Sequence, residues 1–255
     1  MRTLYPLLLI LAGLQVGTPI ASTTAPLPFR AGESLVFEVS WMHIPVGTAT
    51  MRVEPIPDHT IPDALRLIST ARTHRFLDAF HKVDDLAESI FDPHTRLSQS
   101  FRIRQHEGRY RSHHNMIFDQ SNRRVTFQKR DQPPQELSIP TTVQDPLSVL
   151  YWVRTLPLSV GKPLVVPICN RGKTWFTKIR VLKRERLKLP IGEVNTIKIQ
   201  PLLQAAGIFR HKGDMFIWLS DDAYRVPVQL RSNIKIGAVR AHLVNVQGVD
   251  LDTQP

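Results

Sequence analysis

The side chains best placed to do chemistry in this 255-residue chain are basic ones on a predicted β-hairpin. Two alternating segments, 97–106 and 109–118, flank the dipeptide Glu107-Gly108, which is typical of a two-residue hairpin turn. That turn predicts three facing pairs on one side of the hairpin, built entirely from basic residues: Arg102 with His113, Arg104 with Arg111, and His106 with Arg109. We call these six residues the basic face.

The basic face predicts an anion-binding site. The planar guanidinium of arginine matches phosphate and carboxylate groups with two parallel hydrogen bonds, and histidine gains charge as the pH falls toward ~6. Like charges directly opposed on a sheet cost roughly 0.2–1 kcal/mol per pair, so the arrangement needs either ample solvent or a bound anion. A strand face that is merely well solvated is the alternative interpretation.

Other reactive residue types form no recognisable site in the sequence. The pairs Asp84-Asp85 and Asp221-Asp222 stand where turns are expected, and turn chemistry explains them. Cys169 is the only cysteine, which favours a small buried residue over a reactive thiol. Neither a zinc-binding histidine motif nor a nucleophile elbow occurs. We therefore expect no metal, no cofactor and no catalysis, although a catalytic triad assembled from distant strands stays open.

The first residues predict export. Arg2 precedes an apolar run at 4–16 and a region of small residues at 17–25, a pattern typical of a cleaved secretory signal peptide over 1–25. A retained N-terminal anchor is the competing interpretation. Because no cysteine follows the apolar run, we expect a periplasmic protein that is not a lipoprotein.

The net charge of the chain then limits the chemical classes of partner that we expect. The formal net charge is +11. For an exported protein this excess indicates anionic envelope partners, such as lipid phosphates, lipopolysaccharide or acidic glycans, and not nucleic acid. A basic, well-solvated surface without a partner is the alternative, and the sequence leaves open whether the protein is free or associates peripherally with the membrane.

The elements that must position these residues are mostly strands. Period-2 alternation, as in 35–41, recurs along the chain and predicts about ten to twelve strands in one β-rich domain over 29–250. The exception is a helix at about 145–156, where Asp145 can cap the first turn, Pro146 can occupy its first position, and apolar residues recur at helical spacing. A helix so apolar must be covered. The fold expected is a mainly β protein, with a curved antiparallel sheet or half-barrel wrapped around one central helix.

Four segments resemble a known family when taken together in this order: GESLVFEVSWMHIPVGTATMRV (32–53), FHKVDDLAESIFDPHTR (80–96), VQDPLSVLYWVRTLPL (143–158) and WLSDDAYRVPVQLRSNIKIGAVRAHL (218–243). They resemble the uncharacterised bacterial exported proteins grouped as domain of unknown function 3108, over roughly 29–246. That family implies no activity and no catalytic residues. More distantly, the pattern is similar to half-barrel envelope proteins that carry lipoproteins or sense lipids. That similarity implies that Trp41, Tyr151 and Trp152 line a cavity for acyl chains, unless they are ordinary core aromatics.

The sequence thus favours an exported, non-enzymatic envelope protein that binds an anionic lipid or glycan within or on a curved sheet. In this hypothesis the arginines of the basic face contact the anion and the helix-lined interior holds any apolar part. A protein-interaction module that uses an edge strand to bind another envelope protein is the first alternative. An envelope hydrolase is the second.

Overall fold

The computed structural model describes residues 26–77, 81–202, 215–234 and 236–253, so the predicted signal peptide lies outside the described residues. Within them, one antiparallel sheet of fourteen strands dominates the fold. The strands of the first part are β1 (Ser34–Trp41), β2 (Ile44–Pro55), β3 (Leu65–Thr73), β4 (Asp84–Asp92), β5 (Leu97–Glu107), β6 (Tyr110–Asp119), β7 (Arg124–Lys129) and β8 (Gln135–Ser138). Those of the second part are β9 (Leu164–Asn170), β10 (Lys173–Leu189), β11 (Gly192–Leu202), β12 (Met215–Ser220), β13 (Pro227–Asn233) and β14 (Ala238–Gln247).

The spatial order of the sheet is β8-β7-β6-β5-β4-β3-β2-β1-β14-β13-β12-β11-β10-β9. Two meanders therefore meet where β1 pairs with β14, and β8 and β9 are the edge strands. Because neighbouring strands are antiparallel, successive connections alternate between the two ends of the strands. We call the row of strand ends with the connections after β1, β3, β5, β7, β9 and β13 the upper edge; its described residues are 42–43, 74–77, 81–83, 108–109, 130–134, 171–172, 234 and 236–237. The row of strand ends opposite to it is the lower edge.

The mainly β class is confirmed, and the strand count exceeds the predicted ten to twelve. The strand that the sequence did not indicate is β8, which follows two prolines and buries little of its surface. Such a short polar segment carries no apolar alternation, so only its pairing with β7 identifies it.

The α-helix that lies wholly within the described residues spans Ser148–Arg154, which is shorter than the predicted 145–156. Asp145 lies three residues before the helix and caps the turn that leads into it, because its Oδ1 accepts hydrogen bonds from the backbone N–H groups of Leu147 (2.7 Å) and Ser148 (2.8 Å). Its Oδ2 accepts from the hydroxyls of Ser89 on β4 (2.5 Å) and Ser98 on β5 (2.6 Å). The capping carboxylate therefore also fastens the start of the helix to the sheet.

The helix contributes to two clusters of buried apolar side chains. Tyr151 belongs to a cluster that includes Phe37, Phe91 and other residues of the first meander. Val153 belongs to a second cluster, formed largely by aliphatic residues of β9 to β12 such as Ile199. The helix is thus in contact with both halves of the sheet.

The β5–β6 hairpin forms with a different turn from the predicted one. Glu107 pairs with Tyr110, so that the turn residues are Gly108 and Arg109. The physical reason is that the first turn position has a positive φ, +54° at Gly108, which glycine adopts without a steric penalty. The corrected partners are Arg102 with Asn115, Arg104 with His113, and His106 with Arg111. The division of the hairpin into an apolar and a basic side is unchanged.

Candidate functional site

An apolar cavity lies between the helix and the sheet. One wall is a row of directly facing residues on four strands: Met51 on β2, Ser69 on β3, Ala87 on β4 and Ile103 on β5. Ser69 and Ala87 stand in the middle of this row. Because their side chains are small, they leave open space that larger residues would fill.

The opposing walls come from the helix and from the second meander. Leu150 and Val153 project from the helix, while Ile199 and Ile217 project from β11 and β12. The cavity has a volume of about 400 Å³, within the ~300–1,000 Å³ usual for small-molecule sites. Its lining among the described residues contains no charged side chain. An apolar ligand is therefore the chemistry that these walls fit.

Two polar atoms in this wall lack a hydrogen-bond partner among the described residues. They are Oδ1 of Asn170 on β9 and the indole Nε1 of Trp175 on β10, and both are buried. Trp175 directly faces Ile168, two residues before Asn170, so the two side chains are diagonal neighbours on one face. A buried polar group left unpaired costs roughly 1–3 kcal/mol. One acceptor and one donor are thus available to a polar group at the upper-edge end of the cavity.

The basic face lies on the other side of the same sheet. Phe101 and Ile103 line the cavity from β5, whereas Arg102 and Arg104, which alternate with them, are exposed on the opposite side. The backbone of the sheet therefore separates the predicted anion site from the cavity. A compact ligand does not occupy both.

Within the basic face, the structure keeps five of the six residues on one side and moves the sixth. Arg102 forms an ion pair with Glu88 of the adjacent strand (Nη2–Oε2 2.5 Å). Arg111 donates from Nη1 to the backbone oxygens of Gly108 (2.7 Å) and Tyr110 (2.9 Å). Arg109 occupies the turn. The remaining members, Arg104, His106 and His113, stay on the strands as predicted.

None of the three aromatic residues expected to line a cavity contributes to this one. Trp41 is 38% exposed at the end of β1, where its Nε1 donates to the backbone oxygen of Ile236 (2.9 Å). Tyr151 is fully buried against Phe29, with ring centroids 5.0 Å apart. Trp152 packs against the second cluster.

The residues that do line the cavity carried a weaker signal in the sequence. On the helix they are aliphatic residues at helical spacing, the pattern used to predict the helix itself. On the strands, the signal is a small residue at an inward position, as at Ser69 and Ala87. Aromatic side chains fill space, and small side chains leave it, so small residues were the better indicator.

Burial shifts the pKa of two ionisable groups near the hairpin. It lowers the pKa of His114, with help from the charges of Arg171 and His113, to about 4. Burial also raises the pKa of Glu107 to about 7, aided by the hydrogen bond and the charge of Asp85. His114 is therefore neutral at pH 7, and Glu107 is near its midpoint.

Cys169 is buried, as expected. Its Sγ lies 3.9 Å from Sδ of Met116, and burial raises the pKa of the thiol to about 11. A thiol with so high a pKa is a poor nucleophile at neutral pH.

No three His, Cys, Asp or Glu side chains of the described residues gather as ligands of a metal ion. Likewise, no helix in the described ranges combines the length and the apolar character needed to cross a membrane.

Solved structures similar to this chain include three from bacterial proteins. A β-barrel-like protein of the DUF1849 domain of unknown function from Brucella abortus matches with a TM-score of 0.57 and 9% identity, covering 87% of this chain and 100% of that chain. A candidate lipoprotein from Parabacteroides distasonis matches with a TM-score of 0.38 and 10% identity, covering 87% and 98% of the respective chains. A candidate exported protein with a YmcC-like fold from Bacteroides fragilis has a TM-score of 0.34 and 9% identity, with coverages of 86% and 97%.

The first of these similarities extends over nearly the whole fold and concerns architecture alone. No curated protein matches this chain significantly. The family model described as "Protein of unknown function (DUF3108)" matches residues 36–244, which include all strands from β2 to β13 and the helix. This chain therefore belongs to the DUF3108 family.

Proposed function

We propose that this protein is an exported, non-enzymatic protein of the cell envelope that holds the hydrocarbon chain of a lipid in the apolar cavity. The observation that carries the proposal is a cavity of about 400 Å³ whose described walls are largely apolar and carry no charged side chain. Each methylene group transferred from water to such a wall contributes ~0.8 kcal/mol. A chain of several methylene groups therefore gains enough to offset the ordering of the ligand.

The proposal includes a sheet that curves around the helix as a half-barrel. Its support is the composition of the cavity wall, to which β5 contributes Ile103, β11 contributes Ile199, and the helix contributes Leu150. These strands are far apart in the order of the sheet. A sheet that brings them to one cavity is strongly bent, and the helix occupies its concave side.

The polar end of the lipid would lie beside Asn170 and Trp175. The indole N–H would donate to a carbonyl or hydroxyl oxygen of the ligand, and the amide oxygen would accept from a hydroxyl group. This gives the ligand a direction in the cavity, with the hydrocarbon chain toward the helix and the polar group toward the upper edge.

The basic face stays a separate proposal for an anionic partner, a lipid phosphate or an acidic glycan. It is supported by the exposed basic residues Arg104 and His113, which face each other on neighbouring strands, and by the net charge of +11. Because it lies on the outside of the sheet, its loss should not alter binding in the cavity. The envelope location rests on the predicted signal peptide at 1–25.

The experiment that tests the cavity replaces one small wall residue by a large one. Ser69→Leu puts an isobutyl group into the middle of the cavity, whereas Ser100→Leu makes the same change on the outer side of β5. The probe is cis-parinaric acid, a fluorescent fatty acid, titrated into the purified protein. We expect Ser69→Leu to weaken binding at least about tenfold, a loss of ~1.4 kcal/mol, and Ser100→Leu to leave it unchanged.

Equal affinities for the wild type and Ser69→Leu, with both proteins folded, would reject the cavity as the lipid site. Native mass spectrometry of protein isolated from its own periplasm, with lipid extraction of the same sample, would identify the natural ligand. A stoichiometric protein partner in place of any lipid would support the interaction-module alternative.

A further inference from the structure

We propose that the upper edge of the sheet is a docking surface for an anionic lipid bilayer. Most of the exposed large apolar side chains of the described residues lie on this edge or at strand ends that meet it. Ile236 and Phe76 are each 66% exposed, Ile44 56% and Met42 54%. Apolar side chains held out at loop tips are costly in water and favourable in the headgroup region of a membrane.

The loops that carry these side chains touch one another. Trp41 donates from Nε1 to the backbone oxygen of Ile236 (2.9 Å), and the N–H of Met42 donates to the oxygen of Ala238 (3.1 Å). The connection after β1 and the connection after β13 therefore form one apolar tip. A tryptophan at such a tip is typical of the interface between hydrocarbon and water.

Contacts between connections also occur along the upper edge away from the apolar tip. The N–H of Gly108 donates to the backbone oxygen of Lys82 (2.7 Å), which joins the connections after β5 and β3. Tyr110, which follows the β5–β6 turn, accepts a hydrogen bond from the guanidinium of Arg171 in the β9–β10 turn. Contacts between loops thus link edge segments from both meanders.

The charges of the two edges support an anionic bilayer as the partner. The described connections of the upper edge carry one carboxylate, Asp131, against five basic side chains: Arg75, Lys82, Arg109, Arg130 and Arg171. Outside the helix, the described segments of the lower edge carry eight carboxylates against five basic side chains. The carboxylates are Glu33, Asp58, Asp63, Asp145, Asp221, Asp222, Asp250 and Asp252, and the basic residues are Arg30, Arg96, Arg123, Lys162 and Arg225. Such an asymmetry turns the upper edge toward an anionic surface, with each basic residue near the surface contributing ~1 kcal/mol.

A pair of arginines below the apolar tip adds a specific phosphate contact. Arg231 on β13 faces Arg240 on β14, and Nε of each is buried without a hydrogen-bond partner in the described part of the chain. Facing like charges are unfavourable unless an anion lies between them. A lipid phosphate provides that anion through charge-assisted hydrogen bonds.

The docking surface stands on these observations and does not depend on the cavity being occupied. It nevertheless meets the proposed lipid site, because Asn170 and Trp175 lie at the ends of β9 and β10 that reach the upper edge. A lipid leaving the bilayer at this edge would enter the cavity with its polar group last.

The test is flotation of the purified protein with vesicles of phosphatidylglycerol and phosphatidylethanolamine, compared with vesicles of phosphatidylcholine alone. The apolar variant is Ile44→Ser with Ile236→Ser. Its control is Ile117→Ser with Val165→Ser, two exposed residues away from the upper edge, at 56% and 60% exposure. The charge variant is Arg75→Gln with Arg109→Gln, and its control is Arg66→Gln with Arg123→Gln.

We expect binding to the anionic vesicles only, weakened at least about tenfold by either upper-edge variant, unchanged in both controls, and reduced by salt. No binding to anionic vesicles, or equal losses in variants and controls, would overturn the proposal. Ser69→Leu should bind vesicles as the wild type does. A wild-type protein that binds anionic vesicles but does not bind cis-parinaric acid would therefore reject the cavity proposal and leave the docking surface supported.

Discussion

Arg154, at the end of the helix, and Glu33, just before β1, form a fully buried ion pair with two parallel hydrogen bonds of 2.6 and 2.7 Å. The guanidinium also donates to the backbone oxygens of Pro28 (3.0 Å) and Tyr224 (3.1 Å). Its carbon lies 5.2 Å from the ring centroid of Phe29. The end of the helix is therefore fixed to the start of the sheet as firmly as Asp145 fixes its beginning.

Glu33→Gln should lower the free energy of unfolding by ~3–5 kcal/mol, because it leaves a buried guanidinium without a counter-charge. The double variant Glu33→Leu with Arg154→Met should be less destabilised than the sum of its single changes, since it removes both charges together. Urea unfolding of the wild type, Glu33→Gln, Glu33→Leu, Arg154→Met and the double variant measures both effects. Strict additivity of the two single changes would contradict the buried pair.

Asp145→Ala should cost more stability than Ser148→Ala, by at least ~1 kcal/mol. The aspartate accepts four hydrogen bonds, from the backbone of Leu147 and of Ser148 and from the hydroxyls of Ser89 and Ser98, so its loss leaves several buried donors unpaired. Thermal unfolding of the two variants compares them directly. If the two variants lost the same stability, Asp145 would act as a local cap without fastening the helix to the sheet.

The titration of His114 should be visible in the pH dependence of stability. Burial lowers its pKa in the native state from 6.5 to about 4, so the unfolded chain binds a proton first. Its contribution is complete above pH 6.5 and is lost as the pH falls toward 4. Glu107, whose native pKa is raised from 4.5 to about 7, has the opposite effect, since its burial penalty is relieved as the pH falls from 7 to 4.5.

The two effects oppose each other in the wild type, and His114→Leu separates them. Relative to the wild type, this variant should gain up to ~3 kcal/mol of stability between pH 7 and pH 4. Ile117→Leu, an exposed position on the same strand that removes no ionisable group, is the control and should follow the wild-type profile. Parallel profiles for His114→Leu and the wild type would show that His114 titrates as an ordinary exposed histidine.

Trp175→Phe should weaken the binding of a lipid with a carbonyl or hydroxyl head by about three- to tenfold, because it removes one hydrogen-bond donor and keeps most of the apolar wall. The same change should leave the binding of a plain hydrocarbon unaffected. Competition of a fatty alcohol and of the matching alkane against cis-parinaric acid makes the comparison. An equal loss for both competitors would indicate a change of cavity shape instead.

The strands and the helix cap could be predicted because the residues that determine them lie close together in the sequence. Alternation in β1, and an aspartate before a proline and an apolar stretch at Asp145, act within a few residues. The β5–β6 turn was misplaced by one residue because its choice depends on whether Gly108 takes the position with positive φ. That choice changed the partners of every residue in the basic face and removed Arg109 from it.

The cavity could not be predicted in the same way. Its wall depends on which inward positions of distant strands meet, and the sequence does not state how strongly a sheet bends. Ser69 looks like any other residue of an alternating strand until Ala87 is found facing it. The aromatic residues were selected because they are large, whereas the cavity exists because side chains in its wall, such as those of Ser69 and Ala87, are small.

The pairing of β1 with β14 has a kinetic consequence. Leu35 faces Val246, so the contacts that join the two meanders close nearly the full length of the chain, whereas every other strand pair forms between neighbours in sequence. Contacts at such separation form late and slowly, on a scale of roughly milliseconds to seconds. Until β14 has docked, β1 and β13 each present an unpaired edge that can recruit another chain. If the predicted signal peptide at 1–25 directs export of the unfolded chain, each molecule passes through this stage after crossing the membrane. A chaperone that shields the edges of β1 and β13 until β14 has paired would then protect it from aggregation.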